Sequence, residues 1–409
     1  MYILRKINIL EKVSPGSSRS LFWEIINSAL IFLASILINR SLGAQDRGLF
    51  TLVILIPTTM FTIAGCQWDR TLKSLIIRKK ISGKEAWRRS LYYTIFLSPI
   101  FIPLTIISNF IYTNLNVEVK ILIFIYSCIF PIYLMAGFLY AIYLSTGSID
   151  GQYRMRTSMQ ISYVLLVFIS SYFKLISVHF LILIYIVLQI IYFISGWIQK
   201  EKLLYGSELL EKPSLIPLMK GFLPNTIETL SLNLDIWLLS YFGSLITLGH
   251  YVAMNSLMQP INLISNALIN GSTARLNWSE SLVVRRYLLR TTYLMFFLLF
   301  FSIIMIFIIN PYVLESLLGK SFVSAWWMIP WITGVVITKA TATQFQTAIQ
   351  LSGLENAYLT MQSLEPVSRL LIVGFLGWQF SELGIFLGLI LSSLLKILGC
   401  LLIHIKLTN

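Results

Sequence analysis

Apolar runs of roughly 20 residues follow one another from one end of this chain to the other, and nothing else limits its fold so strongly. A run of that length crosses the ~30 Å hydrocarbon core of a bilayer as one α-helix, with every backbone hydrogen bond made inside the segment. About twelve such runs can be read, at roughly 21–38, 49–66, 91–112, 121–145, 158–175, 178–198, 221–242, 250–270, 288–309, 325–350, 358–378 and 384–404. The segments between them are too short to hold a soluble domain. Composition agrees: 12% of residues are charged, against about a quarter in soluble domains, and the mean hydropathy is +0.79. The expected fold class is an all-α polytopic membrane protein of about twelve transmembrane helices in two six-helix halves. Residues 1–198 form the first half and 221–409 the second. The segment 199–220, which holds four Lys, three Glu, two Pro and a Gly, forms a cytoplasmic linker.

The net charge of +14 would point to nucleic acid in a soluble protein, but its placement points to topology. With the N-terminus inside, the outer turns carry Arg40, Arg47, Lys120, Lys174 and Lys320. Lys339, Arg369 and Lys396 lie within spans, and all other Lys and Arg fall on inner segments, densest in 68–90. That asymmetry sets both termini in the cytoplasm and makes anionic membrane lipid, not nucleic acid, the partner of the basic surplus. The apolar run after residues 1–20 is span-length and lacks a small-residue cleavage site, so it reads as a retained first helix. Cys66, Cys128 and Cys400 offer no disulfide framework, and His179, His250 and His404 have no ligand-like neighbours, so no metal and no cofactor is expected.

Several spans carry polar residues along one side. Asn225, Glu228, Ser231 and Asp235 follow at helical steps, as do Asn255, Gln259, Asn262, Asn266 and Asn270. Glu24 opens the first span, with Ser28, Ser35 and Asn39 at multiples of a turn beyond it. Lys339, Thr343, Gln346 and Gln350 share a face of the tenth span, and Gln362, Glu365 and Arg369 share one of the eleventh. Toward lipid such faces are costly, so they turn inward, either to line a hydrated cavity or to bond helix to helix. Glu365 and Arg369, four apart, are placed to neutralise each other; no acid stands three or four residues from Lys339. Lys396 is expected to snorkel to the inner interface, and a position near that interface would leave Glu24 and Glu228 solvated.

The halves resemble each other at their first turns. Leu42-Gly43 … Gly48-Leu49-Phe50 … Pro57 matches Phe242-Gly243 … Gly249-His250-Tyr251 … Pro260. Two repeats in the same orientation imply a pseudo-twofold along the membrane normal, a common plan among transporters.

These residues also resemble a family. Asp235-Ile236-Trp237-Leu238-Leu239 … Gly243 … Gly249-His250-Tyr251 is similar to a signature of bacterial polysaccharide repeat-unit flippases, the Wzx-type members of the MATE-like (MOP) flippase superfamily. Ser41-Leu42-Gly43 … Gly48-Leu49-Phe50 looks like their first-loop signature. Leu317-Leu318-Gly319 … Phe322 … Ala325, Leu351-Ser352-Gly353 and Phe380 to Ser392 resemble their later segments. Twelve helices fit these better than the fourteen-helix lipid II flippases. Two departures stand out: His250 occupies a position where a small or aliphatic residue is commoner, and Glu24 has no adjacent arginine.

The resemblance implies a flippase in the bacterial cytoplasmic membrane that moves undecaprenyl-pyrophosphate-linked oligosaccharide by alternating access. The glycan would serve O-antigen, capsule or exopolysaccharide assembly, with contact to other polysaccharide-assembly membrane proteins. Lys339 and Arg369 would counter the phosphates, and the amides of the seventh and eighth spans would meet sugar hydroxyls. A cation-coupled multidrug exporter of the same superfamily, with Glu24, Glu228 and Asp235 serving proton or sodium coupling, is the main alternative. A membrane-embedded polysaccharide polymerase would want a large outer loop rich in acids or arginines; the sequence has none, so no enzyme activity is expected.

Overall fold

The computed structural model describes residues 17–65, 72, 76, 81–111, 117–145, 149–198, 233–258, 310–351 and 355–408, with single helical residues among 287–300. Everything described between the turns is helical. The elements are α1 (Ser17–Ala64), α2 (Gly83–Ile111), α3 (Val117–Ser127), α4 (Phe130–Ser145), α5 (Ile149–Tyr172) and α6 (Val178–Ile198). They continue as α7 (Leu234–Phe242), α8 (Leu245–Leu257), α9 (Pro311–Leu318), a 3₁₀ turn (Lys320–Ala325), α10 (Met328–Leu351) and α11 (Glu355–Thr408).

Two of these are pairs of spans joined without a loop. α1 breaks at Gly43, where φ is 73° and ψ 178°, a conformation open to glycine at little cost. α11 breaks at Ser381, where φ is 52° and ψ −129°, a strained backbone for a residue with a side chain. Among the described residues, Phe22–Ile63, Val178–Ile198 and Pro366–Leu402 are long and apolar enough to cross a membrane. The pair α3 and Phe130–Tyr143, bent by 45° at Cys128-Ile129, makes a fourth if counted as one broken span. Spans expected over 221–242, 250–270 and 288–309, and the linker 199–220, lie wholly or largely outside the described residues. So does most of the basic segment 68–90; at its end, Arg89 pairs with Glu85 at 2.6 Å on the first turns of α2.

The chain forms two compact units, Met1–Gly48 with Ser231–Asn409, and Leu49–Leu230. The division passes through α1 just beyond its break. In the second of these, α4 packs against α2, α5 and α6 around Phe61, Tyr126, Phe130 and Tyr143, all nearly inaccessible. The outward faces are apolar as well: Ile161, Leu165, Phe168, Ile169 and Tyr172 form an exposed stripe at helical spacing on α5. In the first unit, α10 packs on α11, and the two arms of α11 lie close together. A Cβ on Gly384 would sit 1.8 Å from the Leu376 carbonyl oxygen, and one on Gly388 would sit 2.7 Å from the Val373 Cα. Small residues four apart thus let two backbones meet, the usual way membrane helices gain dispersion contact without a hydrophobic driving force. Exposed leucines at 383, 387, 391, 394, 395, 398 and 402 cover the outer side of the second arm.

Candidate functional site

α7 begins at Leu234, so the carboxylate of Asp235 stands in its first turn, where the helix dipole favours negative charge. The turn Gly243-Ser244 returns the chain as α8, capped by Ser244 accepting from the Thr247 amide. This hairpin brings Tyr251 back to Asp235, and the Tyr251 hydroxyl donates to Asp235 Oδ2. Arg369, on the first arm of α11, acts electrostatically on the same hydroxyl. All three side chains are buried, Arg369 at 2% exposure. Oδ1 of Asp235 has no hydrogen-bond partner among the described residues. The Tyr251 ring is fixed by stacking on Phe386 of the second arm of α11, with centroids 6.0 Å apart, and Phe386 meets Trp327 edge-on. An isolated buried charge costs several kcal/mol, so an acid, a phenol and a guanidinium grouped together make the cluster tenable at membrane depth.

Further polar bonds tie this unit together. Thr247 Oγ1 donates to Glu382 Oε1 at 2.5 Å, holding the start of α8 to the break in α11. His250 Nε2 bonds the Ser321 carbonyl at 2.8 Å, and its ring meets Phe322 edge-on. The departure from a small residue at position 250 thus anchors the 3₁₀ turn. Tyr287 donates to Gln344 Oε1 in the interior.

α10 carries a different pattern. Gln346 is buried, with no hydrogen-bond partner for Nε2 among the described residues. Lys339 and Thr347 are half-buried and Thr343 is exposed, so this side of the helix is open. The hydroxyls of Thr343 and Thr347 bond back to the Lys339 and Thr343 carbonyls at 2.9 and 2.8 Å. Lys339 stands eleven residues into α10, about 17 Å from its start, which is mid-helix. Exposed side chains at comparable positions on α11 are instead apolar, among them Val367, Leu370, Leu371 and Phe375.

The residues expected to line one hydrated chamber therefore separate. Asp235, Arg369, Glu24 and Gln346 are sealed among helices in this conformation. Burial of Glu24 also corrects the view of it as solvated near the interface: it is 2% exposed, with Asn27 one turn on equally enclosed. Lys339 stands on an open face, and Asn255 is half-buried. Asn225, Glu228, Gln259, Asn262 and Asn266 lie outside the described residues, as does the side chain of Glu365. Lys396 does not snorkel. It is buried and borders a cavity of about 410 Å³ between the arms of α11, beside Ser368, Met361 and Leu371. Tyr251 and Glu382 were not among the expected site residues. The only sequence hint for Tyr251 was its place in the repeated glycine motif, and Glu382 had none.

No protein-family model matches the chain, and no curated protein matches it in sequence. Solved structures do match along nearly its whole length. A MOP superfamily transporter from Pyrococcus furiosus aligns with a TM-score of 0.72 at 13% identity, covering 97% of this chain and 96% of its own. A MATE structure in the straight conformation aligns at 0.64 and 14% identity, covering 95% of each chain. The lipid II flippase MurJ in an inward closed conformation aligns at 0.67 and 14%, covering 93% of this chain and 86% of its own. The fold is MATE-like. With the apolar spans, it makes the chain a multi-pass membrane protein of this architecture.

Proposed function

We propose that this protein is a flippase that translocates undecaprenyl-pyrophosphate-linked oligosaccharide repeat units across the cytoplasmic membrane by alternating access, in O-antigen, capsular or exopolysaccharide assembly. The observation that carries the reading is the open face of α10, where Lys339, Thr343 and Thr347 stand on successive turns. A lysine at the centre of a membrane-crossing helix costs about 2.5–3.5 kcal/mol on insertion scales, and water with an anionic substrate group on an open face would offset that cost. The pyrophosphate carries the complementary charge, the threonine hydroxyls are suited to sugar hydroxyls, and the polyprenyl tail can remain in lipid. Likeness of fold to a lipid II flippase supports a lipid-linked substrate.

Arg369 has a narrower part in this reading. With Asp235 and Tyr251 around it, it stabilises the packing of α7, α8 and α11, and it reaches a phosphate only if that cluster opens in another state of the cycle. Lys339, half-buried on the open side of α10, is the cation this reading assigns to the pyrophosphate.

A cation-coupled drug exporter is the second reading, favoured by the enclosed carboxylates of Glu24 and Asp235. Asp235 accepts the Tyr251 hydroxyl, which ties it to the packing of α7 on α8. Replacement of the chromosomal gene by Lys339→Gln, with membrane levels verified, should reduce surface glycan at least tenfold and accumulate lipid-linked repeat units; Lys339→Arg should restore part of it. Normal glycan in the Gln variant refutes the flippase reading, and altered drug susceptibility on deletion with intact glycan selects the exporter.

A further inference from the structure

The unit Leu49–Leu230 holds a cavity of its own, of about 300 Å³, where α4, α5 and α6 converge. α4 supplies Tyr133 and Tyr140, α5 supplies Arg156 and Gln160, and α6 supplies Gln189 and Tyr192. The spacings, seven, four and three residues, place each pair on one face of its helix. No carboxylate is among the side chains lining it. The Tyr192 hydroxyl lies within electrostatic reach of Arg156, Tyr140 and Tyr133, so the polar ends of these four side chains gather at one place.

Two independent features mark this as a binding site and not as a packing fault. Gln160 is buried at 7% exposure and lines the cavity, yet its Oε1 has no hydrogen-bond partner among the described residues. A buried amide oxygen left so is destabilising unless something else donates to it. The other feature is Gly137, in the middle of α4 and also on the cavity wall. A Cβ built there would meet no atom within 4 Å, so no steric constraint calls for glycine. Glycine in a helix interior is less favourable than alanine. Its effect here is to keep the cavity open.

The chemistry of the lining names the ligand class. A guanidinium presents a planar fork that fits a carboxylate with two parallel hydrogen bonds. Tyrosine hydroxyls and glutamine amides both donate and accept, as a ring of sugar hydroxyls requires, and tyrosine faces suit the apolar C–H side of a pyranose. The volume is at the small end for ligand pockets, about 300–1,000 Å³, and suits one monosaccharide unit. Arg156 as a mere interfacial cation would account for the charge alone, and not for the buried amide or the vacant glycine.

The geometry points to a recognition pocket in this unit for an acidic sugar, a pyranose bearing a carboxylate, with Arg156 as the residue that selects the acid. The inference rests on the glycan-carrier reading and sharpens it to a repeat unit that contains a uronic-type residue.

The test uses the full chain in nanodiscs, titrated by calorimetry with methyl glucuronide, methyl glucoside and inorganic phosphate. The glucuronide should bind about tenfold or more tightly than the glucoside, the gain of one charge-assisted contact. Arg156→Gln should abolish that preference, Arg156→Lys should keep part of it, and Gly137→Leu should remove binding of both glycosides. Equal binding of the two glycosides, a preference that survives Arg156→Gln, or binding of phosphate alone would each overturn the inference. Thermal unfolding of each variant verifies the fold, and Arg156→Lys keeps the test decisive if Gly137→Leu does not assemble. Binding is read in vitro, so its failure is distinct from that of the carrier reading, which is decided by surface glycan in cells carrying Lys339→Gln.

Discussion

Gly249 offers the sharpest test of the packing in the larger unit. Here α1 and α8 cross with almost no side-chain material between them. A Cβ on Gly249 would lie 1.8 Å from the Ala44 carbonyl oxygen and 3.1 Å from the Gly48 amide nitrogen. A Cβ on Gly48 would lie 1.9 Å from the Leu245 carbonyl oxygen and 3.1 Å from the Gly249 nitrogen. The contact is reciprocal: each glycine faces the carbonyl four residues before the other. The atoms struck are backbone, so no rotamer can relieve the clash, and the helices must separate by more than 1 Å to reach ordinary contact. Overpacking of this kind costs about 3 kcal/mol at the upper end of its usual range. Alanine recovers about 1 kcal/mol through helix propensity, leaving Gly249→Ala about 2 kcal/mol destabilised. At about 2 °C per kcal/mol for large domains, thermal unfolding in detergent should fall by about 4 °C. Because one separation accommodates both methyls, the Gly48→Ala, Gly249→Ala double variant should lose clearly less than the sum of the singles. An unchanged midpoint for Gly249→Ala, or strict additivity in the pair, would refute the crossing as described. Gly137→Ala is the internal control: with open space at its Cβ, it should not lower the midpoint.

Other expectations concern buried charge and strain, and the same unfolding assay reads them. Arg369→Gln leaves Asp235 beside Tyr251 without its cation and should cost about 3–5 kcal/mol, whereas Tyr251→Phe, which removes one donor, should cost about 1–3 kcal/mol; a smaller loss for Arg369→Gln than for Tyr251→Phe would refute the cluster as electrostatic. Ser381→Gly relieves a positive φ and should raise the midpoint by about 2 °C, for a gain of about 1 kcal/mol; a fall would show that the hydroxyl, not the backbone, matters there.

Much of this architecture was legible in the sequence because membrane folding leaves few options. Apolar length gave the spans, and the repeated Gly48 and Gly249 turned out to be the two sides of one contact. The breaks near Gly43 and Ser381 fall where the apolar runs were seen to end. What could not be read was the direction in which a polar stripe points. Helical spacing states that residues share a face, but not whether that face meets water, lipid or another helix. Arg369 illustrates the gap. Its neighbour at four residues, Glu365, is the obvious local partner, yet the groups acting with it at Tyr251 come from α7 and α8, more than a hundred residues away. The cavity on α4, α5 and α6 was illegible for a related reason. Each helix contributes a pair of residues too short to register as a stripe, and the site exists only where three such pairs converge.

The separation of sealed from open charge has a functional consequence. A carrier that uses alternating access must change its helix contacts repeatedly, so the groups that hold its bundles together and those that meet cargo cannot be chosen independently. In this chain Arg369 is buried inside the unit, within electrostatic reach of the Tyr251 hydroxyl that Asp235 accepts. Lys339, on the next helix, stays on an open face with hydroxyls one and two turns away. Swapping their environments would be costly in both directions: an uncompensated Arg369 would destabilise the fold, and under the proposed function a neutralised Lys339 would have nothing to offer the pyrophosphate. Substitution at Arg369 should therefore reduce glycan export in step with the loss of folded protein in the membrane. Substitution at Lys339 should reduce export with protein levels intact. The ratio of export to folded protein, measured for both variants side by side, separates the two roles, and a ratio that falls equally for both would place Arg369 in contact with cargo after all.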